Sequence, residues 1–289
     1  MPELPEVETV RRGLEPLILN KKIVQVKPEP GKCFQGEESD LEGAKITKLR
    51  RFGKALVIDL DNGKSMMIHL RMTGQLIWRG VSSEQNDFAA GHPSKNFTVA
   101  LPNSQTRVEF EFEDGTLFFN DQRKFGFVKV LPTAEVEQDK FIASLGPEPW
   151  DMKPDELYQK CQRHAKAPIK AVLLDQKVIA GIGNIYADES LFYAGVHPET
   201  RAGELSESEV AKILEGAQNV MLASIDSGGS TMATYVKPDG STGNYLELFA
   251  EVFRRDGQPC KRCGTEIIKT RVAGRGTHIC PKCQKVKNA

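Results

Sequence analysis

The chain closes with Cys260-Lys261-Arg262-Cys263 and Cys280-Pro281-Lys282-Cys283, two Cys-x2-Cys pairs separated by sixteen residues that include Gly274-Arg275-Gly276. Each pair can place two thiolates on one ion, and four thiolates complete a tetrahedral shell with no open position. That is the pattern of one structural zinc ion in a ribbon or hairpin. The N-terminus is acidic and polar rather than apolar, so no secretory signal is read and the expected compartment is the cytosol. Thiols stay reduced there, which favours a metal site over disulfides for these four cysteines. Cys33 and Cys161 stand apart and read as small buried apolar residues.

Charge points the same way. The whole chain of 289 residues is neutral, with 39 basic and 39 acidic side chains. Residues 254–289, however, carry ten basic and two acidic residues, a net of +8. A basic module on a neutral-to-acidic body suggests contact with a polyanion. Arg275 sits between two glycines, which predicts a tight hairpin tip projecting one guanidinium, a group suited to phosphate. No stretch approaches the apolar length of a membrane span.

Working back along the chain, the patterning predicts an α+β multidomain protein. Val7, Val10, Leu14, Leu17 and Ile18 recur at helical spacing, with Pro5 suited to the first turn. Short strand patterns then follow at 23–26, 55–60, 65–70, 75–78, 97–101, 107–112, 116–120 and 126–131. Asp61-Asn62-Gly63 and Glu113-Asp114-Gly115 are hairpin turns between them. Such spacing suggests a β-sandwich. Residues 81–95 lack periodicity and read as a loop. Helices are expected at 156–165, 168–176 and 184–194, the last capped by Asn184 and ended by Gly195. Ser206 with Glu209 forms a capping box for a further helix reaching about residue 224. The expected division is 1–133 for the N-terminal domain, 134–152 for a linker, 153–253 for a helical domain and 254–289 for the metal module.

The opening Met1-Pro2-Glu3 carries the most distinctive chemistry. Removal of Met1 exposes a secondary amine at Pro2. An α-amino group has a pKa of roughly 7.7–8.0, so about a tenth is free base near pH 7, far more than for a lysine. Such an amine can form an iminium with an aldehyde-like carbon, and Glu3 beside it can serve as an acid. Lys54 precedes an apolar strand. Asp121-Gln122-Arg123-Lys124-Phe125-Gly126 sets cations beside an aromatic in a turn, a plausible wedge into a base stack. The glycines before Asn184 open a helix whose N-terminus suits phosphate.

Together these segments resemble the formamidopyrimidine-DNA glycosylases over essentially the whole chain. The resemblance rests on Pro2-Glu3-Leu4-Pro5-Glu6-Val7-Glu8-Thr9, Lys54 before its strand, His69–Gly74, Asp121–Gly126, Gly146-Pro147-Glu148-Pro149, Gly181–Ala187 and the four-cysteine hairpin. It implies an N-terminal β-sandwich with an N-terminal helix, a helix–two-turns–helix domain and a zinc finger. It implies a monomeric base-excision enzyme acting on double-stranded DNA that contains oxidised purines, with both glycosylase and strand-cleaving lyase activity. On the same resemblance Pro2 is the nucleophile at C1′ and Glu3 the acid. Lys54 assists β-elimination, and Arg275 contacts phosphate and assists δ-elimination. Met72, Arg123 and Phe125 fill the space of a flipped nucleotide, and His92, Lys166 and Asn184 contact DNA. The segment 230–245 closes over the extruded base. The chain departs from relatives at Thr73, where some carry an acid, at Gln122, where a proline is common, and at His92, where a histidine pair is usual. Two alternatives remain at this level: a glycosylase of the endonuclease VIII type acting on oxidised pyrimidines, and a DNA-binding protein without catalysis.

Overall fold

The computed structural model describes residues 1–81, 87–91, 100–228 and 249–286. They fall into two compact units. One is Met1–Ala143; the other joins Ser144–Ser227 to the C-terminal residues from 249 onward.

The first unit opens with helix α1, Leu4–Ile18. Glu6 accepts the Glu3 backbone N–H at 2.8 Å, the returning arm of a capping box that fixes the helix start. Val7, Val10, Leu14 and Ile18 form the buried stripe that the spacing predicts. Ten strands follow: β1 Gln25–Pro28, β2 Phe34–Gln35, β3 Ile46–Phe52, β4 Ala55–Leu60, β5 Lys64–His69, β6 Gly74–Gly80, β7 Phe88–Gly91, β8 Thr106–Phe112, β9 Gly115–Asp121 and β10 Phe127–Pro132. They form two five-stranded sheets, ordered β1-β8-β9-β6-β7 and β2-β10-β5-β4-β3. Pairing is antiparallel except between β2 and β10. Leu56, Ile58, Met66 and Ile68 from one sheet and Leu76, Trp78, Phe110 and Phe119 from the other share one core with the α1 stripe.

Three features of this unit differ from the sequence-based expectation. β3 carries charges at Lys48, Arg50 and Arg51 and is not among the strands expected from the sequence. It pairs at the sheet edge because Ile46 and Leu49 turn inward while Arg50 is neutralised by Asp59 at 2.7 Å. Residues 88–91, expected as loop, pair with β6 as strand β7. Of the strand expected at 97–101, residues 97–99 lie outside those described. Part of the stretch expected as linker is also folded. A 3-10 segment covers Thr133–Gln138 and helix α2 covers Lys140–Ala143, with Val136 and Ile142 packed against Val57 and Met67.

The second unit contains helices α3 Pro154–Arg163, α4 Ile169–Leu174, α5 Asn184–Ala194 and α6 Glu207–Asp226. Ser206 and Glu209 make the expected capping box on α6. Gly195 closes α5 with a φ of 71°, the left-handed conformation that glycine adopts without a Cβ penalty. The turn into α5 is closed by one side chain. Gln176 donates to the carbonyls of Leu174 and Ile182 and accepts the Gly181 N–H. A two-stranded hairpin, β11 Ile268–Val272 and β12 Arg275–Ile279, completes the unit. Among the described residues, no helix is long and apolar enough to cross a membrane.

Candidate nucleic-acid and catalytic site

In the first unit, Pro2 and Glu3 sit directly ahead of α1, and both are buried. The helix packs on β3 and β4. Between those strands, Phe52 pairs with Ala55, leaving Gly53-Lys54 as a two-residue hairpin turn. Gly53 has a φ of 55°, the sign that this tight turn needs at its first position. Lys54 is only 5% exposed. The turn is tied to the helix by a short relay. Glu8 takes the Arg51 Nε at 3.1 Å, and Arg51 Nη1 donates to the Gly53 carbonyl at 3.1 Å. Glu8 also binds Arg11 and Arg12 at 2.9 Å each. Burial alone would raise the Glu8 carboxyl, yet its bonds to Arg11 and Arg12, with the charge of Arg51, bring it down to about 2.

His69 ends β5 opposite Ala55. Burial, followed by the charges of Arg71 and Lys54, lowers its ring pKa to about 3, so the ring is neutral near pH 7. Its Nδ1 accepts the Arg71 N–H at 3.0 Å, which leaves the ring proton on Nε2 as a donor. The sequence marks the segment that begins at His69 without giving His69 itself a role. The signal available is a polar residue closing an apolar strand two residues before an arginine.

Two loops of this unit present side chains outward. Met72 is 36% exposed in the β5–β6 connection, and Phe125 is 55% exposed in the β9–β10 connection. The Arg123 guanidinium lies over the Phe125 ring at 4.9 Å. His92 and the segment 230–245 lie outside the described residues.

In the second unit, the Sγ atoms of Cys260, Cys263, Cys280 and Cys283 all lie within 4.8 Å of one another. A Zn–S bond of about 2.3 Å gives tetrahedral S···S edges near 3.8 Å, so one ion fits among them. The 3.4 Å between Cys263 and Cys280 is far too long for a disulfide. These donors therefore suit a soft divalent metal in a closed shell.

The hairpin that the cysteines support is built differently from the expectation. Val272 pairs with Arg275, so the turn residues are Ala273 and Gly274, with φ of 47° and 76°. Arg275 is the exposed first residue of β12 rather than the tip. Asn184 is likewise not the cap of α5. Gly183 caps, and Asn184 as first helical residue donates from its amide to the Gly276 carbonyl at 2.9 Å. Asn184 and the Arg275 strand thus meet, while Lys166 stands exposed in the turn between α3 and α4.

Two acids on α5 hold this arrangement. Asp188 binds Lys170 Nζ at 2.6 Å, both without solvent exposure, and accepts the His278 N–H at 3.0 Å. Lys170 also donates to Thr277 Oγ1 at 2.7 Å and to the Gly276 carbonyl at 3.1 Å. Glu189 accepts the backbone N–H groups of Glu251, Val252 and Phe253 at 2.8–3.0 Å. Sequence reasoning gives neither acid a role. Adjacent acids inside the apolar run of α5 are the available signal, since unpaired charges are not buried there.

Known proteins match the chain throughout. The formamidopyrimidine-DNA glycosylase N-terminal domain matches residues 1–128, the H2TH domain of the same proteins 145–236, and the zinc finger found in FPG and IleRS 257–286. A formamidopyrimidine-DNA glycosylase of Enterococcus faecalis is 40% identical over 302 aligned positions, covering 99% of this chain and 98% of its own. One from Ligilactobacillus salivarius is 39% identical and covers all of both chains. Among solved structures, a Lactococcus lactis FPG mutant in complex with Fapy-dG-containing DNA superposes with a TM-score of 0.86 at 34% identity, covering 98% of this chain and 100% of that one. MutM in complex with carbocyclic 8-oxo-G-containing DNA gives 0.84 at 34% identity, covering the same shares of the two chains.

Proposed function

Because the chain belongs to the formamidopyrimidine-DNA glycosylase family, we propose that it excises oxidised purines from double-stranded DNA and then cleaves the strand at the resulting site. The observation that carries this reading is the start of α1. Glu3 is held there by a capping box with Glu6, directly after Pro2, on a helix packed against the strands that present the Lys54 turn.

With Met1 removed, the Pro2 amine attacks C1′ of a flipped nucleotide, and the bond from C1′ to the damaged base breaks as Glu3 supplies a proton to the opening sugar. The iminium so formed withdraws electrons from C2′. Lys54 assists loss of a C2′ proton as the C3′–O bond breaks and the 3′ phosphate leaves. A second elimination breaks the C5′–O bond, with Arg275 on the phosphate. One amine therefore accounts for both activities, whereas an activated water would stop at base release.

Extrusion of the base costs a few kcal/mol. Met72 and the Arg123–Phe125 pair offset it by filling the vacated stack. Asn184 and Lys166 serve as phosphate contacts, and His92 is a further DNA contact. The metal is one zinc ion, which supplies a structural cross-link and no chemistry. The protein works as a monomer in the cytoplasm, at the nucleoid.

Borohydride trapping on a lesion panel tests this reading. The processed wild type should form a covalent adduct with 8-oxoguanine:C duplexes, and Pro2→Gly should greatly weaken it. No adduct from the wild type would overturn the enzyme reading in favour of simple DNA binding. A strong preference for thymine glycol would favour the endonuclease VIII type.

A further inference from the structure

The wedge loops of the first unit are joined by a contact that neither the chemistry at Pro2 nor phosphate binding requires. β6 begins at Gly74 and β9 ends at Asp121, and these two residues pair across the sheet. The loop carrying Met72 and the loop carrying Arg123 and Phe125 therefore emerge side by side. Asp121 has no solvent exposure. Its Oδ2 accepts the Gly126 N–H at 2.6 Å and its Oδ1 accepts the Arg123 N–H at 3.1 Å, so the carboxylate closes its own turn. The Thr73 hydroxyl reaches over from the other loop. It donates to Asp121 Oδ1 and accepts the same Arg123 N–H at 3.1 Å.

Each loop also contains one non-glycine residue in left-handed conformation, Arg71 with φ 50° and Lys124 with φ 56°, each adjacent to a wedge residue. Such residues persist only where surrounding contacts over-determine the backbone, and they concentrate at functional sites. The Thr73 hydroxyl is suited to this place because it can donate to the carboxylate and accept the Arg123 N–H at once.

We propose that Thr73 and Asp121 are positioning residues that lock the Met72 loop and the Arg123–Phe125 loop into a single rigid wedge, and thereby set how readily the protein parts a base pair to expose a lesion. The inference rests on the glycosylase reading above. It predicts that the contact matters where a pair must be opened and is dispensable where the lesion is already unpaired, because unpairing is the step the wedge supports.

The test compares Thr73→Val, which keeps the shape and removes the donor, with Thr73→Ser, which keeps the donor. Each is measured in single-turnover base excision on 8-oxoguanine paired with cytosine and on the same lesion inside an unpaired bubble. Losing a hydrogen bond to a buried carboxylate should slow Thr73→Val about tenfold on the paired lesion and leave it within about twofold of wild type in the bubble, with Thr73→Ser near wild type on both. Fluorescence of 2-aminopurine beside the paired lesion should show a smaller opening amplitude for Thr73→Val. Equal rates of Thr73→Val and wild type on the paired lesion would overturn the proposal. An equal loss on both substrates would overturn it too, since it would mark a contact needed only for folding. A wild type inactive on both substrates would instead refute the parent reading.

Discussion

Lys170→Met should be among the most damaging single changes in the second unit. The ammonium it removes touches Asp188 at 2.6 Å, Thr277 at 2.7 Å and the Gly276 carbonyl at 3.1 Å, in a site with no solvent exposure at either charge. Taking away one partner leaves the Asp188 carboxylate buried with only the His278 groups beside it. Stranding a buried charge in this way costs about 3–5 kcal/mol. Asp188→Leu should cost a similar amount, because it strands the ammonium instead. The double variant removes both charges and leaves mainly the His278 N–H without its acceptor, a cost of about 1–3 kcal/mol. The double variant should therefore be more stable than either single one, and the coupling energy should exceed about 3 kcal/mol. Urea unfolding followed by far-ultraviolet circular dichroism reads this directly, since α3 to α6 all lie in this unit. With an m-value of about 2 kcal/mol per molar urea, Lys170→Met moves the midpoint down by about 2 M. A shift under about 0.5 M, or a double variant less stable than both single ones, would refute the argument that the pair is a desolvated ionic contact whose halves depend on each other.

Two further outcomes follow from the same geometry. His69 and Glu8 both have folded pKa values below their ordinary ones, about 3 and about 2. The unfolded chain then binds more protons as pH falls, so stability is full above about pH 6.5 and declines below it, first through His69 and below about pH 4.5 through Glu8 as well. For His69 the loss amounts to about 2 kcal/mol between pH 8 and pH 5. Thermal midpoints across that range should show it, and His69→Gln should flatten the slope; an unchanged slope would exclude His69 as its source. Stripping the metal with a chelator, or Cys260→Ser, should remove about one zinc per chain and weaken DNA binding at fixed salt. Unchanged affinity by fluorescence anisotropy would separate the cysteine hairpin from DNA contact.

What the sequence made legible was local. The α1 stripe, the Ser206–Glu209 capping box and the paired cysteines each lie within a few turns of chain, and spacing alone reveals them. What it hid was long-range. Thr73 and Asp121 are 48 residues apart and Lys170 and Thr277 are 107 apart, so nothing near either partner announces the other. β3 was hidden for a related reason. Its charges look solvated until Asp59 and Glu8 are brought alongside Arg50 and Arg51. The Ala273-Gly274 turn was displaced from the expected tip because two adjacent positive φ values, not glycine content alone, decide where a two-residue hairpin reverses.

The buried acids of α5 have a consequence for the order in which the protein can be made. Asp188 leaves the ribosome 90 residues ahead of His278, and Glu189 leaves 62 to 64 residues ahead of the N–H groups it accepts. At roughly 5–20 residues per second, Glu189 waits about 3–13 s and Asp188 about 5–18 s for those partners. Until then water or a chaperone must solvate them, and the helical unit cannot close over its own interior. A message truncated before Cys260 would yield a chain in which Asp188 never meets its strand. Such a chain should show loose, protease-sensitive helices, because closure of the helical unit waits on the strand that satisfies Asp188 and Lys170.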